Sequence, residues 1–485
     1  MERGEKRTAE WWLPDMNPED AVPGTYEVTE NGQVRVELHR ALPNQGLEDL
    51  FSNEDIEYPL IHGAAFGLPV TLINSRAIGR KASLTSRHVN TTLRPWVAVE
   101  GIRLNHGELC LTDATVRVEN QDLWDNYDSF RPSALRKSGF PSTFTYTPLQ
   151  TEIAEIPGGE ISVEDASAYH PQGSNLSLQS RSKFKLKFDK EVSFEDFAKR
   201  HIRSLLLMMT AATGRDCGVL EVRCTSSEWV VKGERHPGDR WVIMRVGKSS
   251  QDTKPLSIHD LLFNLGDLDW KTQAPHFFDI TDEWAYPIEL WASLASSKLF
   301  WPLARFANSV QAVEALDRIL YPAAPFTPDT ELAERVNEAL KEAHFNKVVR
   351  SKVKESLLRP REASLDARMT RLAERVSVAM EALVGEHAWE QRIARLRHVA
   401  SHGLEDAEQF VGDTRAPEVA TEVLLHLLEC LFLERVGFTP TRIAELQERR
   451  SSSGYRKLIV HEYLPLLDAF SASRSVKPNS GESQS

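Results

Sequence analysis

Between Trp11 and about Lys190, apolar and polar residues alternate in short runs, as in Thr25-Tyr26-Glu27-Val28 and Val34-Arg35-Val36-Glu37-Leu38 on either side of Asn31-Gly32. Alternation with a period of two marks a half-buried strand, and Asn-Gly is a favoured hairpin turn. Val70-Thr71-Leu72-Ile73, Ala114 to Val118 and Phe184 to Phe188 repeat the pattern. The first part of the chain is therefore expected to be mostly β. Ser193 is placed to cap a helix running to about Thr213, with Phe194, Phe197, His201, Leu205 and Met208 at helical spacing and Gly214 as its stop. Three further strand-like runs follow: Val219 to Cys224, Trp229 to Lys232 and Trp241 to Val246.

After about Trp284 the period becomes helical. Helices are expected over 287–300, 303–321, 329–343, 346–358, 363–384, 387–402, 417–436 and 439–449, separated by turns at Pro322, Pro325, Pro328, Pro360, Gly385, Gly403 and Gly437. A chain of 485 residues is too long for one hydrophobic core. The fold class is α+β and multidomain: a β-rich region over 9–285 with a subdomain break near 190, an all-α bundle over 286–470, and a polar, aperiodic tail over 471–485 that is expected to be disordered. Helix 417–436 carries apolar residues on nearly every side, more than one bundle face buries, so part of it is expected to meet a partner helix.

Composition narrows the functional classes. Apolar residues at 41% and charged residues at 26% suit an ordinary globular protein, and a formal net charge of -12 argues against a surface coated for indiscriminate nucleic-acid binding. Met1 to Glu10 holds no apolar run, so no secretory signal is expected. The longest apolar stretch, Val423 to Leu433, is interrupted by His426 and Glu429 and falls short of the roughly 20 residues of a membrane span. A soluble, cytoplasmic protein without membrane contact is expected. Cys110, Cys217, Cys224 and Cys430 form no C-x-x-C pair and are expected to be reduced thiols. Phosphate-loop, dinucleotide, zinc-protease and serine-hydrolase signatures are absent, and no cofactor is expected.

The densest chemistry lies in Arg392-Ile393-Ala394-Arg395-Leu396-Arg397-His398-Val399-Ala400-Ser401-His402-Gly403. Trp389, Ile393, Leu396 and Ala400 form a stripe that should face a core, leaving Arg395, His398 and His402 together on another face with Arg397 beside them. Arg397 and His402 lie about 140° apart on a straight helix, so they converge only if the helix frays at Gly403 or a second chain supplies the facing group. His398 and His402, four apart, could instead hold a metal, but no third ligand has motif spacing. The window 347–375 holds nine basic residues (Lys347, Arg350, Lys352, Lys354, Arg359, Arg361, Arg368, Arg371, Arg375) against four acidic ones, a track for RNA or a plain solvated face. Trp11, Trp12, Trp96 and Trp124 could form a recognition surface, although large aromatics at strand positions more often sit in the core.

The run Arg397-His398-Val399-Ala400-Ser401-His402-Gly403 resembles the R-x4-6-H motif of HEPN domains, with His398 where that motif usually has a small polar amide or an acid. Ser309 to Leu316 resembles the first HEPN helix, and Glu314 matches its acidic residue. Glu10-Trp11-Trp12-Leu13-Pro14, Pro23-Gly24, Ile61-His62-Gly63 and Val70-Thr71-Leu72 look like the opening domain of the ApeA anti-phage family. The resemblance spans about residues 9 to 470. It implies a homodimeric, metal-independent endoribonuclease with a composite site: His402 as acid/base, Arg397 as phosphate holder, Glu314 orienting one of them, His398 nearby, and Arg395 and Arg392 as further RNA contacts. The N-terminal region would then sense an invader, most plausibly a phage protein. The rival expectation is a non-catalytic dimerisation or adaptor module that binds RNA or a partner protein.

Overall fold

The computed structural model describes residues 5–29, 33–42, 56–65, 67–83, 88–104, 110–135, 141–149, 151–172, 175–225, 230–231, 234–235, 240–244, 256–296, 301–322, 330–343, 346–358, 363–385, 388–402 and 414–470. The Asn31-Gly32 turn and the tail 471–485 lie outside them. The chain divides into two compact units: Met1–Asp282 with Ala295–Ser297, and Glu283–Leu294 with Lys298–Ser485.

The first unit opens with six strands: β1 (Lys6–Trp12), β2 (Val22–Val28), β3 (Val34–Leu38), β4 (Glu57–Ala65), β5 (Leu68–Ser83) and β6 (His88–Glu100). All pair antiparallel in the order β6-β3-β2-β1-β4-β5, and β5 pairs back onto β6, which closes a six-stranded barrel. A closed barrel leaves no edge strand, and the alternation read from sequence puts Trp11, Tyr26, Val36, Leu38, Ile61, Leu72 and Ala98 in its filled interior. Trp11 determines which neighbours it tolerates. A side-chain carbon on Gly63 would stand 2.3 Å from the Trp11 ring, and one on Gly24 would stand 2.4 Å from the Glu37 carbonyl oxygen and 3.1 Å from the same indole.

Strand β6 also pairs with a second, open sheet, whose members are β7 (Cys110–Val118), β10 (Ala154–Ile156), β11 (Gly159–Asp165), β14 (Ser182–Ser193), β15 (Val219–Thr225) and β18 (Arg240–Met244). Small hairpins β8 (Phe130–Leu135) with β9 (Pro141–Tyr146), β12 (Ala168–Gln172) with β13 (Asn175–Gln179), and β16 (Val230–Val231) with β17 (Glu234–Arg235) complete the strands. Asp165 ties two of the hairpins together, accepting from Ser129 Oγ at 2.6 Å, Tyr146 OH at 2.8 Å and Ser167 Oγ at 2.9 Å.

The helices of this unit are α1 (Gln121–Trp124), α2 (Phe194–Asp196), α3 (Arg203–Thr213) and α4 (Trp270–Glu283), with a π-helical turn, Phe197–Ile202, joining α2 to α3. Ser193 caps this run by accepting the Asp196 N–H, and Gly214 ends it in the left-handed region, φ 66°. Phe194, Phe197, His201, Leu205 and Met208 are all buried, as their spacing predicts. His201 sits among the rings of Phe188, Phe197 and Phe278. Trp11, Trp12 and Trp124 are buried and Trp96 is half-buried against Phe194, so these tryptophans are core and not an exposed recognition surface.

The second unit is helical: α5 (Ala285–Ser296), α6 (Pro302–Leu320), α7 (Thr330–Glu342), α8 (Lys347–Leu358), α9 (Leu365–Arg375), α10 (Ser377–Val384), α11 (Trp389–His402), α12 (Arg415–Val436), α13 (Pro440–Arg449) and α14 (Ser451–Tyr463), followed by a 3-10 segment, Leu464–Phe470. The helix expected over 363–384 is two helices, broken at Val376. Every residue of α12 from Val419 to Leu433 except Glu422 is buried. This helix touches α6, α9, α10, α13, α14 and the segment Leu464–Phe470. Its apolar residues are thus consumed by its own bundle, which removes them as grounds for a partner helix. Glu429, inside this apolar helix, accepts from Arg456 at 2.7 Å and Arg450 at 3.3 Å. No helix among the described residues is long and apolar enough to cross a membrane.

Candidate functional site

Helix α11 carries the densest Arg/His cluster. Trp389, Ile393 and Leu396 are buried as the stripe predicts, but Val399 is the residue buried on its last turn while Ala400 is exposed. The helix rests on α9, α6 and the segment Leu464–Phe470. Arg392 is committed there: its Nη2 lies 2.5 Å from Asp468 Oδ1. That ion pair, made with a residue 76 positions along the chain, engages one nitrogen of the guanidinium expected to contact RNA, and nothing in the local sequence announces it.

Arg397 lies on a different side. Its Nη2 is 3.9 Å from Glu314 Oε1 on α6, with side-chain exposures of 43% and 21%. Such a half-exposed pair at the edge of ion-pair distance is weak, so it leans the guanidinium toward Glu314 without consuming it. The two residues that sequence placed on separate helices, Glu314 and Arg397, are brought together. Arg395 and His398 are exposed on α11. His402 is the last residue of α11. Its side chain, and residues 403–413 where the helix was expected to fray, lie outside the described residues. Among the described residues, no group of three or more His, Cys, Asp and Glu is placed to hold a metal ion.

Three of the nine basic residues of the expected track on 347–375 are committed to ion pairs within the bundle. Fully buried Asp317, one turn past Glu314, takes both the Nε and Nη2 of Arg371, and Arg368 Nη1 lies 3.6 Å from it. Arg371 also covers the ring of Tyr321, 4.5 Å from its centroid. Arg375 donates to both carboxylate oxygens of Glu434 at 2.7 and 2.9 Å. These three arginines tie α9 to α6 and α12. Arg359, Arg361 and the side chain of Lys354 lie outside the described residues. Sequence reasoning missed Asp317, whose only local signal is an acid on the buried face of an amphipathic helix.

The N-terminal motifs also acquire physical roles. Trp11 pairs with Gly63, and Trp12 with His62, in the β1–β4 register. Buried His62 uses Nε2 to bond the Leu104 carbonyl at 2.7 Å, and Arg103 lies 4.8 Å over Trp12. These contacts fasten the barrel.

Two family models match the chain: ApeA N-terminal domain 1 over residues 6–271, and Apea-like HEPN over residues 307–442. Searches of curated proteins and of solved structures find no match. The Apea-like HEPN match contains both Glu314 and Arg397. The paired domains support an anti-phage HEPN-type effector, and the chain belongs to the ApeA-type HEPN family.

Proposed function

We propose that the helical bundle, residues 286–470, is a metal-independent endoribonuclease that acts in the cytoplasm as a homodimer, and that the region 9–285 senses an invader and controls it. What supports this reading is the ion pair of Glu314 and Arg397, which aims one guanidinium on the helix that ends in His402. RNA brings its own nucleophile. The 2′-oxygen attacks the adjacent phosphorus as a base accepts its proton, a P–O2′ bond forms, the P–O5′ bond breaks, and the departing 5′-oxygen takes a proton. The products are a 2′,3′-cyclic phosphate and a 5′-hydroxyl. In this scheme His402 moves the protons and Arg397 neutralises the phosphate, whose oxygens compete with the weak Glu314 contact for the same guanidinium. Glu314 is a positioning residue, His398 is a neighbour of the reacting group, and Arg395 is an outer RNA contact. A phage protein would shift the dimer to its cutting arrangement by binding that state more tightly.

The test is to map RNA 3′ ends in cells expressing the wild-type chain, His402→Ala and Arg397→Ala, before and after phage infection. New cyclic-phosphate ends should accompany only the wild type, and the activity of purified protein should survive EDTA. Equal ends in all three strains would leave the bundle as a non-catalytic module.

A further inference from the structure

Strands β5 and β6 outrun the barrel they close. The β4–β5 pairing ends at Glu57↔Arg76, and the β3–β6 pairing ends at Leu38↔Thr91. Among the described residues, 81–83 of β5 and 88–90 of β6 therefore pair only with each other, in the register Lys81↔Asn90, Ala82↔Val89 and Ser83↔His88. At the foot of this two-stranded ribbon the register shifts between Ala77↔Leu93 and Gly79↔Thr92, leaving Ile78 as an extra, exposed residue. Such a bulge bends its strand and strengthens the local twist.

The charge of the ribbon is one-sided. No Asp or Glu occurs between Glu57 and Glu100, although the whole chain carries a net charge of -12. Arg76, Arg80, Lys81 and Arg94 all fall in that stretch, at the foot of the ribbon or along it. Arg76 and Arg94 are direct cross-strand partners. Ser75, Leu93 and Pro95 beside them are buried, so alternation puts both arginines on the outer side of the barrel. Like charges placed directly opposite destabilise a strand pair. Of the neighbouring acids, Glu37 on β3 is held by Lys6 at 2.6 Å and Arg35 at 2.9 Å. Glu57, opposite Arg76, is thus one carboxylate in register with two guanidiniums. An anion laid across them relieves the repulsion.

We propose that the β5–β6 ribbon docks on double-stranded DNA. A phosphate backbone supplies regularly spaced negative charge to a strip that has none of its own. The B-form major groove, about 12 Å wide, admits a two-stranded β-ribbon, whereas the major groove of an RNA duplex is too narrow for side chains to read. Asn90, exposed on the ribbon, carries the amide that pairs with an adenine edge. The proposal stands whether or not the bundle cuts RNA.

The experiment is fluorescence anisotropy of a labelled DNA duplex titrated with the full chain over a series of salt concentrations. The same sequence as a 2′-O-methyl RNA duplex is the comparison, because it keeps the A-form and offers no 2′-hydroxyl for cleavage. With Arg76, Arg80, Lys81 and Arg94 engaged, log K should fall with log salt at a slope of about -3.6. Arg80→Gln with Lys81→Gln should reduce that slope by about two and weaken DNA binding about tenfold or more at about 0.1 M salt. Lys187→Gln with Lys190→Gln, which removes the same charge from exposed positions of β14, should leave the slope unchanged. Should the ribbon variant fail to fold, Arg76→Gln at an exposed position of the barrel wall must lower the slope by about one. No binding by the folded chain at about 50 mM salt would mean that the charges only guard an exposed strand pair, and would overturn the proposal. So would a slope untouched by the ribbon substitutions, an equal loss when Lys187 and Lys190 are replaced, or equal weakening of the RNA duplex.

Discussion

Replacing Glu429 with Gln should loosen the helical unit at its centre. Glu429 is 4% exposed, and it accepts from Arg456 at 2.7 and 3.3 Å, from Arg450 at 3.3 Å and from Gln447 at 3.3 Å. Burial alone would raise its pKa, but Arg456 and Arg450 more than reverse that and hold it well below the usual carboxylate range. Gln is nearly isosteric but uncharged, so two guanidiniums are left buried with less compensation and one new N–H faces a donor. Removing one partner of a buried ion pair costs about 3–5 kcal/mol. Arg456 keeps Glu422, 3.2 Å from its Nε, so the low end, about 3 kcal/mol, is expected. Because the chain has two compact units, the measurement is one that reads a single unit, hydrogen exchange on α12 to α14 in the full chain. About 3 kcal/mol corresponds to roughly 150-fold faster exchange through that opening. Acceleration under about fivefold would refute the reasoning. The double substitution Glu429→Leu with Arg456→Met should recover most of the loss, because a packed apolar pair replaces the ions.

Gly63→Ala should destabilise the barrel by about 2 kcal/mol, since the added carbon would stand 2.3 Å from the Trp11 ring; a thermal midpoint equal to wild type in the first unit would contradict the packing. Acid should weaken both units through buried histidines. His201 and His426 are each pushed down to about 4 by burial, from an ordinary 6.5. The unfolded chain therefore takes up protons between pH 6.5 and 4 that the folded chain refuses, and about 3 kcal/mol per histidine is lost as pH falls through that window. Urea titrations at pH 7 and pH 4 should show His426→Gln removing most of this dependence from the helical unit. If the dependence persisted undiminished, another group would be responsible.

Legibility followed the range of the interaction. Strands β3 and β7 and the capped run from Ser193 to Gly214 were readable because alternation, a cap and a stop are local signals. Helix α4 was missed because Pro275 lies inside it and aromatic residues blur its period. The break between α9 and α10 at Val376 carries no Gly or Pro. Barrel closure depends on β5 meeting β6 while β6 also serves β18, a pairing that no segment reveals by itself. Glu314 was nameable through the resemblance of Ser309 to Leu316 to the first HEPN helix, and Arg397 through the dense Arg/His run of α11 together with the same resemblance. The pairings of Arg371 with Asp317 and of Arg392 with Asp468 join residues 54 and 76 positions apart, so local sequence shows Arg371 only as part of a basic track and Arg392 only as part of a basic cluster. On α11 the stripe held until the final turn, where Val399 is buried in place of Ala400.

The place of α12 at the middle of its unit has a consequence for how the protein is made. Helices α6, α9 and α10 leave the ribosome before the helix they pack around, which is complete only at Val436. Synthesis at about 5–20 residues per second leaves several seconds between the emergence of α6 and the arrival of α12. During that interval the earlier helices have no common centre, and the two carboxylates Glu314 and Asp317 have no fixed frame in which to hold their arginines. A nascent chain on a polysome, surrounded by messenger and ribosomal RNA, therefore holds α6 and α11 without their central support until α12 is in place. Helix α12 acts as a timer on the helices before it.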